Sequence, residues 1–136
     1  MTSSRPRRPI YQTAPPRYNR GDVVLVPFPF ADMLAEKQRP GVVVSTPDYH
    51  AAAGDLIIAQ LTSNLRSPAR PGDHALQAWR EAGLPLPTLA RARLATLHTS
   101  RIRKRLGTLA PNDLIALENG LRIVLDLPET PAMSGS

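Results

Sequence analysis

The stretch EKQRPGVVVST, residues 36–46, decides the fold. Val42, Val43 and Val44 are β-branched and consecutive, which reads as a short buried strand. Pro40 stands near its first residue, where a missing N–H does least harm to a ladder, and Pro47 closes the run. A fixed charge, Arg39, is placed at the strand's mouth. Such an arginine is either a solvated loop charge or a guanidinium held rigidly over a site.

Working outward, GDVVLVPF (21–28) opens on a Gly-Asp turn signal and gives a strand over 23–26, ended by Pro27 and Pro29. PFADMLAEKQ is a loop. GDLIIAQLT (54–62) repeats the Gly-Asp-plus-apolar pattern and gives a third strand, 55–62. SNLRSPARPG reads as a long loop, DHALQ as a short strand and EAGLPLP as a connector. TLARARLATL, with apolar and Arg residues near alternation, suits a strand with one wet face. The C-terminal APNDLIALENGLRIVLDL changes period. Leu114, Leu117, Leu121, Val124 and Leu125 fall in steps of three and four, one face of a helix. Pro111 fits its first position, and Asp113 sits where the macrodipole favours a carboxylate. Gly120 weakens the middle by about 1 kcal/mol relative to Ala. Short strands first and one helix last predict a mainly β (α+β) domain, a small SH3-like β-barrel with a C-terminal helix.

A chain of 136 residues supplies one domain with one core. Residues 1–19 are basic, proline-rich and poor in apolar material, and predict a disordered tail. Residues 20–127 form the domain, and 128–136 a second tail. Cysteine is absent, which excludes disulfides, a thiolate nucleophile and cysteine-based zinc sites. No apolar run approaches the ~20 residues of a membrane span, and the basic N-terminus lacks the apolar core of a signal peptide. The expectation is a cytoplasmic protein. The net charge of +6 is uneven, since Arg5, Arg7, Arg8, Arg17 and Arg20 leave only +1 for residues 21–136. Arg91, Arg93, Arg101, Arg103, Lys104 and Arg105 form a second cluster. Two concentrated basic segments point to a polyanion, nucleic acid ahead of other partners.

Most catalytic constellations are missing. There is no phosphate-binding glycine loop, no HExxH and no GxSxG. His50, His74 and His98 lie too far apart for a local metal cluster, so no metal and no cofactor are expected. One reaction needs neither a metal nor a protein nucleophile. RNA carries its own attacking 2′-hydroxyl, and a protein need only align it and neutralise the phosphate. Arg39, entering the second strand, and Thr62-Ser63, leaving the third, offer suitable groups. If the two strands are antiparallel neighbours, Arg39 and Thr62 converge. An arginine fork grips a phosphate bidentately and never loses its charge.

These stretches carry a resemblance. GDVVLVPFPFADMLAEKQRPGVVVS followed by GDLIIAQLTSN resembles the MazF/PemK family of toxin endoribonucleases from type II toxin–antitoxin systems. It continues through GDHALQAWREAGLPLPTLAR and LATLHTSRI to LGTLAPNDLIALENGLRIVL, covering roughly residues 20–127. It is closest to the PemK-like branch. The resemblance implies an SH3-like barrel, a homodimer, metal-independent cleavage of single-stranded RNA and a cognate antitoxin, the complex of the two binding DNA. It places Arg39 at the scissile phosphate and in proton transfer, and Thr62 on the transition state. Ser63 is a weaker catalytic candidate. Lys37, Asn64, Arg66, Arg91 and Arg93 are the expected RNA contacts.

The chain departs from the family in its Arg-Pro-rich tail, residues 1–18, and at two places within the domain. Some members carry Arg-x-Asp where this chain has Arg91, Ala92 and Arg93, which removes a candidate base. Arg39 alone is a poor base, because a guanidinium is a donor with no lone pair to offer and keeps its proton. His74, in GDHAL, is the nearby alternative. Gly41 stands where the family usually has Ala or Val. Two other functions share the fold: a protein-binding toxin of the gyrase-poisoning kind, which does not need Arg39 and Thr62, and a non-catalytic RNA-binding module.

Overall fold

The apolar runs become strands, and their pairing places the ends of the second and third side by side. The computed structural model describes residues 17–27 and 37–128. Among these residues six strands form: β1 Asp22–Pro27, β2 Gln38–Val43, β3 Asp55–Thr62, β4 His74–Ala75, β5 Leu89–His98 and β6 Lys104–Thr108. The described residues also hold two α-helices, α1 Pro47–Ala53, which joins β2 to β3, and α2 Pro111–Leu125, which follows β6. The strand order is β4-β5-β3-β2-β1-β6 and every pairing is antiparallel. The result is a mainly β half-barrel, a curled six-stranded sheet with a C-terminal helix, in agreement with the sequence.

Strand alternation sorts the core onto two faces. Val23, Val42, Ala59, Leu61 and Ala90 face one side and pack with Leu117 of α2 and with Leu76, Ala82 and Leu84. Val24, Val26, Val43, Leu56 and Ile58 face the other, with Tyr18. Each fully buried aliphatic side chain here contributes about 1.5–3 kcal/mol. Tyr18 thus belongs to the folded body, although the sequence reading placed it in the tail. Residues 1–16 and 129–136, the rest of the two predicted tails, lie outside the described residues, as does 28–36 of the predicted β1–β2 loop.

The turn around 82–84 packs its backbone against β6. A Cβ on Gly83 would collide with the Leu106 carbonyl, and one on Gly107 with the Ala82 carbonyl. Two glycines therefore let the chain pass close to the β6 edge.

Besides the short 3-10 helix Thr99–Arg101, a helix and a strand escaped the sequence reading. Pro47 does not merely end β2. It is the first residue of α1, whose N-cap Thr46 accepts the Tyr49 N–H at 3.3 Å and whose C-cap Gly54 is left-handed at φ 77°. β6 is KRLGT, too charged and too short for the period-2 signal, yet it pairs with β1 at the sheet edge. Lysine and arginine on such an edge discourage further strand addition.

The helix face also differs from expectation. On α2 the buried residues are Asp113, Leu117 and Gly120, while Val124 and Leu125 are exposed at 42% and 49%. Asp113 enters the core because its carboxylate accepts His74 Nε2 at 2.8 Å and the Gln77 and Ala78 N–H groups at 3.0 Å each. Burial pushes its carboxyl up, but these bonds and the nearby His74 outweigh burial and hold it below the usual carboxylate range.

Gly120 is buried for steric reasons. A Cβ there would lie 2.5 Å from the Gly72 carbonyl oxygen. Propensity alone makes Gly120→Ala a gain of about 1 kcal/mol. The contact reverses the sign, since forcing backbone apart costs about 1–3 kcal/mol. Gly120→Ala should lower the thermal midpoint in calorimetry. A raised midpoint would show that α2 slides off Gly72 at no cost.

Candidate active site

The β2–β3 ladder pairs Gly41 with Gln60, Val42 with Ala59 and Val43 with Ile58. Carrying that register two residues outward sets Arg39 opposite Thr62, just beyond the last paired residues. Directly opposed residues share a face, with Cβ atoms about 4.5–5.5 Å apart. On the other sides, Arg39 pairs with Val26 of β1 and Thr62 with Leu89 of β5. The neighbouring row runs Val24, Gly41, Gln60, Arg91. The convergence read from the sequence is therefore present in the sheet.

Arg39 is half-buried, and among the described residues it makes no hydrogen bond or ion pair. Its Nε is buried without an acceptor. Other arginines differ. Arg20 reaches Glu118 and the Val44 carbonyl. Arg105 pairs with Asp22 at 3.2 Å and lies over the Tyr18 ring at 5.5 Å. A guanidinium on a rigid strand with no counter-ion is a ready anion site.

Thr62 is half-buried and oriented by the turn that follows it. Its Oγ1 accepts the Asn64 N–H at 3.1 Å, which leaves the hydroxyl proton to donate elsewhere. Asn64 Oδ1 accepts the Arg66 N–H at 3.3 Å, and Ser67 Oγ donates to the Asn64 carbonyl at 3.2 Å. Ser63, Asn64 and Arg66 are exposed on this turn, and Lys37 is exposed where β2 begins.

Arg91 requires a correction. The sequence reading assigns it to RNA, but it is only 6% exposed. Its Nε and Nη2 donate to the Asp73 carboxylate at 3.0 Å each, and Nη2 also to Ser67 Oγ at 3.2 Å and the Pro68 carbonyl at 3.1 Å. It clamps the loop that starts at Thr62 rather than reaching solvent. The bonds to Asp73 hold the Arg91 guanidinium above its ordinary range against burial. Burial raises the Asp73 carboxyl, yet the Arg91 and Arg70 interactions outweigh it and hold it low. Asp73 and the clamp left no local sequence signal, because the partners are separated by most of a loop and a strand. Arg93 is half-buried in the β5 bulge formed by Ala92 and Arg93, where the register against β3 shifts. Bulges re-aim side chains beside sites.

His74 does not join Arg39 and Thr62. It pairs with Ala90, which pairs with Leu61, so it stands on the α2 face, the side opposite Thr62. Its ring is bound to Asp113. The other histidines are also engaged elsewhere, His50 with Ser45 Oγ at 2.6 Å and His98 with Ser100. The two rows around Arg39 contain no carboxylate and no imidazole. They offer a cation and a hydroxyl donor, which suits stabilising a phosphate more than removing a proton.

Comparison with known proteins agrees with this fold. The family model described as a PemK-like, MazF-like toxin of type II toxin–antitoxin system matches residues 19–125. The chain is similar to an endoribonuclease solved with its cognate antitoxin from a mycobacterial species, at 20% identity and TM-score 0.66, covering 83% of this chain and 99% of that one. It is similar to MazF from Deinococcus radiodurans at 22% identity and TM-score 0.65, covering 82% and 98%. It also matches the Mycobacterium tuberculosis toxin MazF-mt6 at 16% identity and TM-score 0.63, covering 79% and 98%. At these identities the likeness is one of fold.

Proposed function

The chain belongs to the PemK-like, MazF-like toxin family of type II toxin–antitoxin systems, and from that premise we propose that it is an endoribonuclease acting on single-stranded RNA. The observation that carries the reading is Arg39, half-buried, without a counter-ion among the described residues, and opposite Thr62. The scissile phosphate sits between them. The guanidinium fork takes its non-bridging oxygens, and the Thr62 hydroxyl donates to the same group. Negative charge grows on those oxygens as the 2′-oxygen attacks, so both donors bind the transition state more tightly than the substrate. The 2′-O–P bond forms and the P–O5′ bond breaks. The 2′-hydroxyl loses one proton and the departing 5′-oxygen gains one. The products are a 2′,3′-cyclic phosphate and a 5′-hydroxyl. Lys37, Asn64 and Arg66 line the exposed approach to this pair and hold the strand.

The reading includes a symmetric homodimer and a cognate antitoxin that covers the groove. Cleavage should persist in excess EDTA, stop when the 2′-hydroxyl at the cut site is replaced by hydrogen, and stop when antitoxin is added in excess. Cleavage of the 2′-deoxy substrate, or strict dependence on Mg²⁺, would overturn it.

A further inference from the structure

Among the described residues, three side-chain atoms are buried without a hydrogen-bond partner: Gln38 Oε1, Arg39 Nε and Gln60 Oε1. Leaving such an atom unpaired forfeits its hydration without a replacement bond, so each one calls for a reason. Alternation along β2 puts Gln38 on the α2 face. Arg39 and Gln60 share the opposite face, where Val43 and Ile58 also lie.

These two orphans are complementary. Arg39 Nε carries a proton to donate, and Gln60 Oε1 is an acceptor. Their residues stand diagonally on adjoining strands, since Arg39 is two positions from Gly41, the residue opposite Gln60. Diagonal neighbours of this kind lie within reach of long side chains. Gly41 lies between them and has no side chain to block the path. On its other side Gln60 faces Arg91, whose Nε and Nη2 are already committed to Asp73, Ser67 and Pro68.

We propose that Gln60 is a positioning residue for Arg39: when a phosphate occupies the outer edge of the guanidinium, the Gln60 side-chain carbonyl accepts the Arg39 Nε–H. The inference rests on the ribonuclease reading for its substrate. A guanidinium held at its inner edge presents its terminal nitrogens in one orientation, which is what a bidentate grip on a moving phosphate requires. Gln60 touches no substrate and acts through Arg39.

The test uses the full chain with two substitutions. Gln60→Leu keeps the size and removes the acceptor. Gln60→Glu keeps an acceptor at the same reach. Single-turnover cleavage by Gln60→Leu should fall roughly 30-fold, while affinity for an oligonucleotide with 2′-hydrogen at the cut site changes less than about 3-fold. The thermal midpoint should not fall, because the variant removes an unpaired atom. Gln60→Glu should recover most of the rate at saturating RNA, with weaker binding from the added negative charge. In an Arg39→Lys background, which lacks the Nε–H, Gln60→Leu should change the rate less than about 2-fold. An equal loss in both backgrounds would show that Gln60 does not act through Arg39 and would overturn the proposal.

A second readout does not depend on cleavage. The Arg39 Nε–H cross-peak, assigned by its loss in Arg39→Lys, should move when mixed-sequence single-stranded DNA is added, and should not move in Gln60→Leu. A response independent of Gln60 overturns the proposal whatever the activity. A Gln60-dependent response in a protein that cuts no RNA would sustain the contact and sink the ribonuclease reading instead.

Discussion

Arg39→Ala should cut RNA at least about 10³-fold more slowly than the parent chain, a loss near 4 kcal/mol of transition-state stabilisation. A single arginine on a transferring phosphoryl group is worth this much because the charge it meets appears only in the transition state. The fold should survive. Arg39 is half-buried at a strand end and makes no ion pair among the described residues, so its removal orphans no carboxylate. Its own unpaired Nε disappears with it, and the thermal midpoint should hold or rise. Arg39→Lys should recover little, leaving roughly a 10²-fold deficit, because an ammonium is a point charge without the fork. The same variants separate the alternatives. A protein-binding toxin of this fold should keep its toxicity without Arg39. Near-parental cleavage by both variants, with parental circular dichroism, would return Arg39 to the status of a solvated loop charge.

The legible parts of this molecule were those written in local pattern. The valines of β2, the alternation of β5 and the Gly-Asp turns before β1 and β3 state their structure within a few residues, and the sheet follows. Arg39 and Thr62 were legible because one assumption, antiparallel neighbours, carries both strand ends to one place. The helix α1 was also written, in Thr46-Pro47-Asp48 and Gly54, but it is short enough to pass for the end of a strand. Other features depend on pairs that no local window contains. Arg91 looks like an exposed cation on a wet strand face until Asp73 arrives from across the loop. Asp113 reads as a dipole-favoured surface acid, and the backbone of Gln77 and Ala78 makes it a buried anchor. His74 sits near the site in sequence and on the wrong face in space, because Leu61 and Thr62 point to opposite sides of β3. The periodicity of α2 indicated a helix correctly but extended its buried face to Leu125, which is exposed.

Arg91→Ala should be among the most destabilising single changes in the domain and should slow cleavage through Thr62 rather than through lost RNA charge. Arg91 and Asp73 are buried together, with side chains 7% and 9% exposed. Removing one partner of such a pair strands the other and costs about 3–5 kcal/mol, which lowers the thermal midpoint by roughly 10–20 °C in a domain of this size. The consequence for chemistry runs along a chain of hydrogen bonds, from Arg91 to Ser67, from Ser67 to the Asn64 carbonyl, and from the Asn64 N–H to the Thr62 hydroxyl. Replacing both partners with apolar residues, Arg91→Met with Asp73→Leu, tests the two effects apart. Stability should return to within about 1–2 kcal/mol of the parent, since a buried pair is often matched by apolar packing of similar volume. Single-turnover cleavage should stay down roughly 10-fold, because Ser67 and the Pro68 carbonyl have lost their donor and Thr62 is no longer fixed. The pair also sets an acid limit. Asp73 is held below its unfolded pKa, so its stabilisation is present above that value and is lost as pH falls through the lower folded one. Asp113 is shifted in the same direction, and the two should together steepen unfolding below about pH 4. Asp73→Asn should flatten part of that limb and leave the part that belongs to Asp113. If the apolar double variant cut RNA at the parental rate, the loop would not need Arg91 to place Thr62. If Arg91→Ala kept full stability and lost only salt-dependent RNA affinity, Arg91 would be the RNA contact its sequence suggests.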